Sequence, residues 1–207
     1  MAEAARFLAI AEAAAEVAGA AIRPLFRSTL LVEAKGDASP VTEADRAAER
    51  AIRALLAERL PEHGVIGEEY SNTNDDAEWV WVLDPIDGTR AFVTGRPLFG
   101  TLIGLLHRGV PVLGLIDQPV TGERWIGVAG QPTRFHSPFG GVPRCRPCPI
   151  LAEAELSCTS PDMFDAGTAP RFGAVKDAAR RTSWGGDCYA YGLLALGLVD
   201  VVVDATM

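Results

Sequence analysis

Apolar positions repeat at helical spacing in two stretches near the start of the chain. Residues 3–28 are rich in alanine, with larger apolar side chains at intervals that favour one long helix. A second helix should begin after Thr42, a candidate N-cap with Asp45 three residues later, and should end before Pro61. Its apolar residues recur at i, i+4, i+7 and i+8 and so share one face: Ala48, Ile52, Leu55 and Leu56.

Short apolar runs bounded by turn residues follow these helices. Residues 65–69 and 79–84 indicate two strands, and carboxylates lie at the end of each. Three more strands are predicted near 98–107, 110–117 and 123–129. Because only short turns separate these three, we expect them to be antiparallel.

The second part of the chain has a different organisation. Residues 130–149 are rich in proline, glycine and arginine and have no periodicity, which is typical of a boundary. We therefore predict an N-terminal α+β lobe over residues 1–135 and a C-terminal α/β lobe over 136–207. Within the second lobe, the pattern predicts a strand over 151–159, a helix beginning near 160–162, a helix over 187–197 and a strand over 198–203.

Composition narrows the classes of function. The 207 residues are 48% hydrophobic with a net charge of −8 and no basic stripe, which argues against a nucleic-acid partner. No apolar run has the length of a membrane span, and the first residues lack the features of a signal peptide. These observations predict a cytoplasmic protein with no membrane partner.

Four cysteines occur, and two of them, Cys145 and Cys148, have the CxxC spacing of zinc and redox sites. A zinc site would need a second pair of ligands, and neither cysteine nor histidine supplies one nearby. Reduced thiols without a function are the favoured interpretation, and a zinc or redox protein is the alternative.

Carboxylates mark the ends of the two strands predicted at 65–69 and 79–84. Glu68 ends the first, while Asp84 and Asp87 end the second on either side of Pro85 and Ile86. If the two strands are neighbours, these side chains and the Ile86 carbonyl offer the oxygen ligands that Mg²⁺ prefers. A solvated acidic rim is the alternative without a function.

Gly88 and Thr89 follow directly, where a helix could begin. Backbone N–H groups at such a position suit a phosphate group. A metal site beside a phosphate site favours hydrolysis of a phosphoester.

Several segments resemble those of one enzyme family. Gly67-Glu68-Glu69 together with residues 81–89 (Trp-Val-Leu-Asp-Pro-Ile-Asp-Gly-Thr) is similar to the signature of the inositol monophosphatase family of Mg²⁺-dependent phosphatases. Residues 39–45 (Ser-Pro-Val-Thr-Glu-Ala-Asp) resemble the family segment with a conserved Asp, matched by Asp45. Residues 159–164 and 185–192 look most like the histidinol-phosphate phosphatase branch.

The resemblance implies a fold and a set of roles. The fold would be α+β, a layered αβαβα sandwich of the sugar-phosphatase type, and family members are commonly homodimers. Glu68, Asp84, the Ile86 carbonyl and Asp87 would hold two or three Mg²⁺ ions, and Lys35 matches a position near them. Glu68, together with Thr89 hydrogen-bonded to Asp45, would orient the attacking water and take its proton. The backbone of Asp87, Gly88 and Thr89 would bind the phosphate, and Asp204 would contact the substrate.

Asp187 has two open interpretations. It follows two glycines at a predicted helix start, so it could cap that helix, or it could face a cationic substrate such as histidinol.

The resemblance also implies that a ligand is missing. In the family, another metal-binding Asp and a further strand and helix follow the position of Asp204, whereas this sequence ends at Met207. We therefore expect a C-terminally truncated member with an incomplete second lobe.

The predicted function is Mg²⁺-dependent hydrolysis of a small phosphorylated metabolite, first of all L-histidinol phosphate in histidine biosynthesis. Inositol 1-phosphate or fructose 1,6-bisphosphate is the alternative substrate. An inactive metal-binding fragment or regulatory protein is the alternative outside the enzymes.

Overall fold

The structure, a computed structural model, describes residues 2–29, 32–34 and 40–205, so Lys35 lies outside the described residues. Elements are numbered in chain order. The helices are α1 (Ala2–Ile22), α2 (Glu43–Arg59), α3 (Thr89–Val93), α4 (Ala169–Ala178) and α5 (Asp187–Ala195). The strands are β1 (Val32–Ala34), β2 (Pro40–Thr42), β3 (Gly64–Gly67), β4 (Trp79–Asp87), β5 (Gly100–His107), β6 (Val110–Gln118), β7 (Glu123–Val128), β8 (Arg134–His136), β9 (Glu155–Cys158), β10 (Arg181–Trp184) and β11 (Val201–Val202).

A six-stranded sheet in the order β3-β4-β5-β6-β7-β8 forms the centre of the larger half. β3 runs parallel to β4, and every later neighbour is antiparallel, which confirms the three predicted antiparallel strands. The sequence did not predict β8, which lies in the stretch interpreted as irregular. β8 also crosses the boundary proposed between residues 135 and 136, and the division into two lobes stays a prediction.

α1 and α2 pack side by side on one face of this sheet, as their apolar stripes require. α1 ends at Ile22 and a 3₁₀ turn follows, so the prediction of a helix to residue 28 was wrong. Pro24 explains the difference because it has no N–H to donate to the preceding turn. α2 begins with the predicted capping box of Thr42 and Asp45.

α5 packs against the opposite face, on β5 and β6, and separates this sheet from a second one. The second sheet is parallel, in the order β10-β9-β11, and α4 covers its outer side with Phe172 against Leu156 and Cys158. The layers therefore follow the predicted order of αβαβα. The sequence missed β10, α4 and the pair formed by β1 and β2, and the strand predicted over 151–159 is shorter, at 155–158.

Two hydrophobic cores of unequal size hold the layers together. The large core lies between α1, α2 and the six-stranded sheet, and its fully buried aromatic side chains are Trp81, Phe92 and Phe99. The small core lies between α4 and the three-stranded sheet. Among the helices of the described residues, none combines the length and apolar character needed to cross a membrane.

Candidate active site

A β-bulge in β4 brings two carboxylates to one face of the sheet. Asp84 pairs with Leu102 and Asp87 with Gly100, so Pro85 and Ile86 together oppose a single residue of β5. In a regular strand, side chains three positions apart point to opposite faces. The extra residue of the bulge corrects this, and both carboxylates reach the cleft on the α5 side.

The bulge is fixed by hydrogen bonds to its carbonyl groups. Pro85 has no N–H to lose from the ladder, and its carbonyl accepts from the buried Thr101 hydroxyl at 2.8 Å. The Ile86 carbonyl accepts from the Thr89 hydroxyl at 3.1 Å. Strand β4 consequently extends to Asp87, three residues beyond the end predicted from the sequence.

A cleft of about 520 Å³ separates the two sheets and collects the predicted acidic residues. Because β3 lies beside β4, Glu68 at the end of β3 reaches the same cleft as the β4 carboxylates. Thr159 and Met163 also line it, on the side of the small sheet. The predicted site residues that line this cleft are Glu68, Asp84, Asp87, Asp187 and Asp204.

Burial and crowding change the acidity of these groups. Burial, followed by the charge and hydrogen bond of Glu68, raises the pKa of Asp84 far above its usual range. Burial also raises the pKa of Asp87, although two hydrogen bonds from Cys188 oppose the shift. Asp187 has its pKa raised to about 6 by burial and then by Asp87 and Asp204. The cleft therefore disfavours the charged carboxylates unless positive charge enters it.

One buried carboxylate oxygen in the cleft has no hydrogen-bond donor among the described residues, and a bound cation would compensate for this. Asp84 Oδ1 is buried and accepts no hydrogen bond within the described structure. The donor set of carboxylates and a carbonyl suits a hard divalent cation. Within the described part of the chain, however, no three His, Cys, Asp or Glu side chains already stand at chelating distance.

Asp45 and Thr89 lie together behind the cleft. Asp45 Oδ2 accepts from the Thr42 N–H at 2.8 Å and the Thr42 hydroxyl at 2.6 Å. Its other oxygen, Oδ1, faces the Thr89 hydroxyl at 3.4 Å. Capping of α2 and contact with Thr89 are thus divided between the two oxygens of one carboxylate.

Asp187 stands at the start of α5 in an unusual backbone conformation. Gly185, Gly186 and Asp187 all have positive φ angles, of 76°, 142° and 43°. Glycine at position 88 gives room for the Asp187 carboxylate, since a Cβ there would lie 2.9 Å from Asp187 Oδ2 and one of the two would have to shift. Such strain at a non-glycine residue is typical of positions with a function.

The same turn links the two sheets. The Cys188 N–H, next along the chain, donates to Asp87 Oδ2 at 2.5 Å, which joins α5 directly to the bulge. Asp204, beyond β11, accepts from the Thr159 N–H at 2.7 Å and from the Tyr191 hydroxyl at 3.3 Å.

A model of the inositol monophosphatase family matches residues 3–207, nearly the whole chain. The chain belongs to the inositol monophosphatase family. Members of this family act on small phosphorylated substrates and use metal ions.

Named relatives include a bifunctional phosphatase and a histidinol-phosphatase. The chain is 45% identical over 202 residues to the chloroplastic bifunctional phosphatase IMPL2 of Arabidopsis thaliana, covering 97% of this chain and 58% of that protein. It is 35% identical to a histidinol-phosphatase of Mycobacterium tuberculosis, covering 84% of this chain and 68% of that protein. The chain thus spans little more than half the length of the plant relative.

Solved structures of the family have the same fold. An inositol monophosphatase from Zymomonas mobilis superimposes with a TM-score of 0.84 at 48% identity, covering 96% of this chain and 76% of that one. The suhB protein from Bartonella henselae gives 0.82 at 26% identity, covering 94% and 76%. The αβαβα sandwich is therefore the family fold.

Sequence reasoning missed the residues that hold the family site in shape. Thr101 and Cys188 contact the bulge, and Glu49 of α2 contacts the backbone beyond β3. Only Glu49 had a usable signal, because it lies one helical turn after Asp45 on the same face of a predicted helix. The other two act through contacts distant in sequence.

The cysteines give no support to the zinc or redox alternative. Cys145 is exposed and Cys148 half-buried in the irregular segment between β8 and β9, while Cys158 and Cys188 are buried, and all four are free. Burial raises the pKa of the Cys158 thiol to about 11, which keeps it unreactive.

Proposed function

We propose that this chain is a Mg²⁺-dependent phosphomonoesterase that hydrolyses a small phosphate ester with a cationic leaving group, L-histidinol phosphate first of all. The observation behind this proposal is a single cleft lined by five carboxylates from both sheets. The chain spans 58% of the length of the Arabidopsis relative, so its activity and its substrate are both part of the proposal.

Glu68, Asp84, the Ile86 carbonyl and Asp87 are the residues proposed to hold two or three Mg²⁺ ions. The buried, unpartnered Asp84 Oδ1 supports this assignment, because an oxygen in that environment is stable when it binds a cation. When bound, Mg²⁺ supplies a water of lowered pKa and charge neutralisation for the phosphate.

Asp45, Thr89 and Glu68 are proposed to orient the attacking water. Thr42 donates twice to Asp45 Oδ2, which leaves Oδ1 facing Thr89. The Thr89 hydroxyl can accept a hydrogen from the water while it donates its own hydrogen to Asp45 or to the Ile86 carbonyl. Glu68, inside the cleft, would take the proton of the water.

The backbone of Asp87, Gly88 and Thr89 is proposed to bind the phosphate. Gly88 has a φ of 91° and precedes the first turn of α3, so this stretch turns sharply at the edge of the cleft. N–H groups at such a turn can converge on phosphate oxygens.

Asp187 and Asp204 are proposed to bind the leaving group. They face the cleft from the start of α5 and from the segment after β11, and no basic side chain lines the same cleft among the described residues. Asp187, with its pKa raised to about 6 by burial and neighbouring carboxylates, would gain most from a cation beside it. The amine and imidazole of histidinol supply such a charge, whereas inositol does not.

Inositol 1-phosphate is the second candidate substrate. The 48% identity to the Zymomonas inositol monophosphatase, over 96% of this chain, favours it. Fructose 1,6-bisphosphate has no comparable support, because its second phosphate would face the same acidic wall.

Phosphate release from L-histidinol phosphate and inositol 1-phosphate, with Mg²⁺ or with a chelator, tests the proposal. We expect Mg²⁺-dependent release with a higher kcat/KM for histidinol phosphate. Preference for inositol 1-phosphate would reject the assigned leaving group and keep the phosphatase, while equal release in chelator would reject the metal dependence. If Mg²⁺ binds and neither ester is hydrolysed, the inactive metal-binding alternative is correct.

Location and assembly stay predictions. The Arabidopsis relative is named chloroplastic, so a cytoplasmic location for this chain rests on the sequence argument alone. A homodimer rests on the family resemblance.

A further inference from the structure

One completely buried carboxylate lies outside the cleft. Glu49 projects from the middle of α2, and its side chain has no exposed surface. A buried carboxylate costs folding free energy unless charged or hydrogen-bonding partners surround it. Its partners therefore indicate what it does.

Three donors contact the Glu49 carboxylate, two from the segment that follows β3 and one from α2 itself. Oε2 accepts from the Glu68 N–H at 3.1 Å and from the Glu69 N–H at 2.8 Å. Oε1 accepts from Arg53 Nε at 2.7 Å, one helical turn further along α2. Each oxygen of the carboxylate thus has its own set of donors.

Arg53 extends this contact to the rest of the segment. Its Nη1 donates to the Thr73 hydroxyl at 2.8 Å, and its Nη2 donates to the Tyr70 carbonyl at 3.2 Å. Residues 68–73 are consequently tied to α2 at both ends through one buried ion pair. We name Glu49 and Arg53 the α2 clamp.

The backbone before Glu68 is adapted to this contact. A Cβ on Gly67 would lie 1.9 Å from Glu49 Oε1, which is far too close for two non-bonded atoms. Glycine at this position therefore permits the close approach of β3 to the carboxylate.

We propose that Glu49 is a positioning residue, which fixes the backbone of Glu68 and Glu69 so that the Glu68 carboxylate is directed into the cleft with the geometry that a divalent cation needs. The inference rests on the proposed function, since it assigns Glu68 to the metal. Partners that orient metal ligands affect affinity without touching the metal.

The position on α2 strengthens the inference. Asp45 and Glu49 are one helical turn apart, so the same helix face contacts Thr89 through Asp45 and Glu68 through Glu49. One helix therefore sets the distance between the two groups proposed to orient the attacking water.

Substitution Glu49→Gln separates positioning from bulk stability. An amide has the same shape as a carboxylate but only one acceptor oxygen, so either the backbone N–H groups or Arg53 must face an NH₂ group. Glu58→Gln, on the exposed side of the same helix, is the matched control.

Two readouts are needed on the full chain. The first is amide hydrogen exchange at Glu68 and Glu69 in chelator, expected to be about fivefold to tenfold faster in Glu49→Gln. The second is binding of Mn²⁺, followed by its paramagnetic signal, with an expected loss of about 10–100-fold in affinity. Glu58→Gln should change neither readout.

Different failures are distinguishable. Faster exchange with unchanged Mn²⁺ affinity would make Glu49 a merely structural residue, and unchanged exchange would reject the clamp itself. A wild-type chain that binds no Mn²⁺ would reject the proposed function. If Glu49→Gln does not fold, Glu49→Asp keeps the charge, withdraws it by one methylene and is judged by the same two readouts.

Discussion

The wall of the cleft with Asp84 and Asp87 is part of the six-stranded sheet and its large core, whereas the wall with Asp187 and Asp204 is formed by the start of α5 and the segment after β11. On the first wall, a bulge and buried hydrogen bonds fix the carboxylates. On the second wall, a strained turn and the strand end beyond β11 present them.

The difference suggests a division of labour. Groups that must meet a metal and a reacting phosphate need tight geometry, which a large core can supply. Groups that select a leaving group tolerate more variation. The first wall should therefore decide whether the reaction occurs, and the second wall should decide on which ester.

The largest effect is expected from Asp87→Asn on the first wall. Loss of a ligand charge should weaken metal binding and lower turnover by about three orders of magnitude, roughly 4 kcal/mol. The effect should be the same for both esters. Phosphate release and circular dichroism measure it, with Asp177→Asn on the exposed surface of α4 as the control. Retained turnover would remove Asp87 from the metal site.

A smaller and selective effect is expected from Asp187→Ala on the second wall. Loss of a charged contact should reduce kcat/KM for histidinol phosphate by roughly tenfold to a hundredfold. Inositol 1-phosphate should be affected much less, since it presents no cation. The ratio of the two kcat/KM values measures the effect, and an equal loss on both esters would assign Asp187 to the reaction rather than to selection.

The smallest effect is expected on the pH dependence of metal-free stability. The pKa of Asp84 and of Asp187 is raised by folding, so the native state holds more protons than the unfolded state above about pH 4. Their contribution to stability therefore falls as pH rises, through about pH 6 for Asp187 and further for Asp84. In chelator, the melting temperature should fall less steeply with pH for Asp84→Asn than for the wild type. The difference between the two decreases should be about 2–4 °C at pH 8.

Added Mg²⁺ sharpens this last comparison. It should raise the wild-type melting temperature at pH 8 and leave Asp84→Asn almost unchanged, because a cation compensates the same buried charges. If the melting temperatures of the two proteins in chelator change equally with pH, Asp84 is well solvated and this prediction is wrong.

Elements that pack on the large core were predicted more completely than the edge strands of either sheet. α2 and the strands β5 to β7 follow from periodicity, because one face of each is buried in a large core. β8 and β10 are short edge strands of the described sheets with largely polar sequences, as in Arg181-Thr182-Ser183, so their pattern resembles that of a loop. Pairing with a neighbour, rather than apolar alternation, makes them strands.

Sequence reasoning predicted which carboxylates could cluster but did not predict the backbone geometry that brings them together. Carboxylates at strand ends indicated the cleft, but the bulge at Pro85 and Ile86 depends on how β5 pairs, which no local pattern contains. Cys188 contacts Asp87 across 101 positions of the chain. Contacts between residues so far apart in sequence form only when the chain folds, and no periodicity in the sequence predicts them.

The bulge has a consequence for the ligand set. In a regular strand, two aspartates separated by one residue already point to the same face. The bulge is therefore not needed merely to place two carboxylates on one face. The extra residue turns the Ile86 carbonyl out of the ladder towards Thr89. If the Ile86 carbonyl binds a cation as proposed, it adds a neutral oxygen beside five acidic side chains, so the number of ligands rises without adding to the repulsion among them.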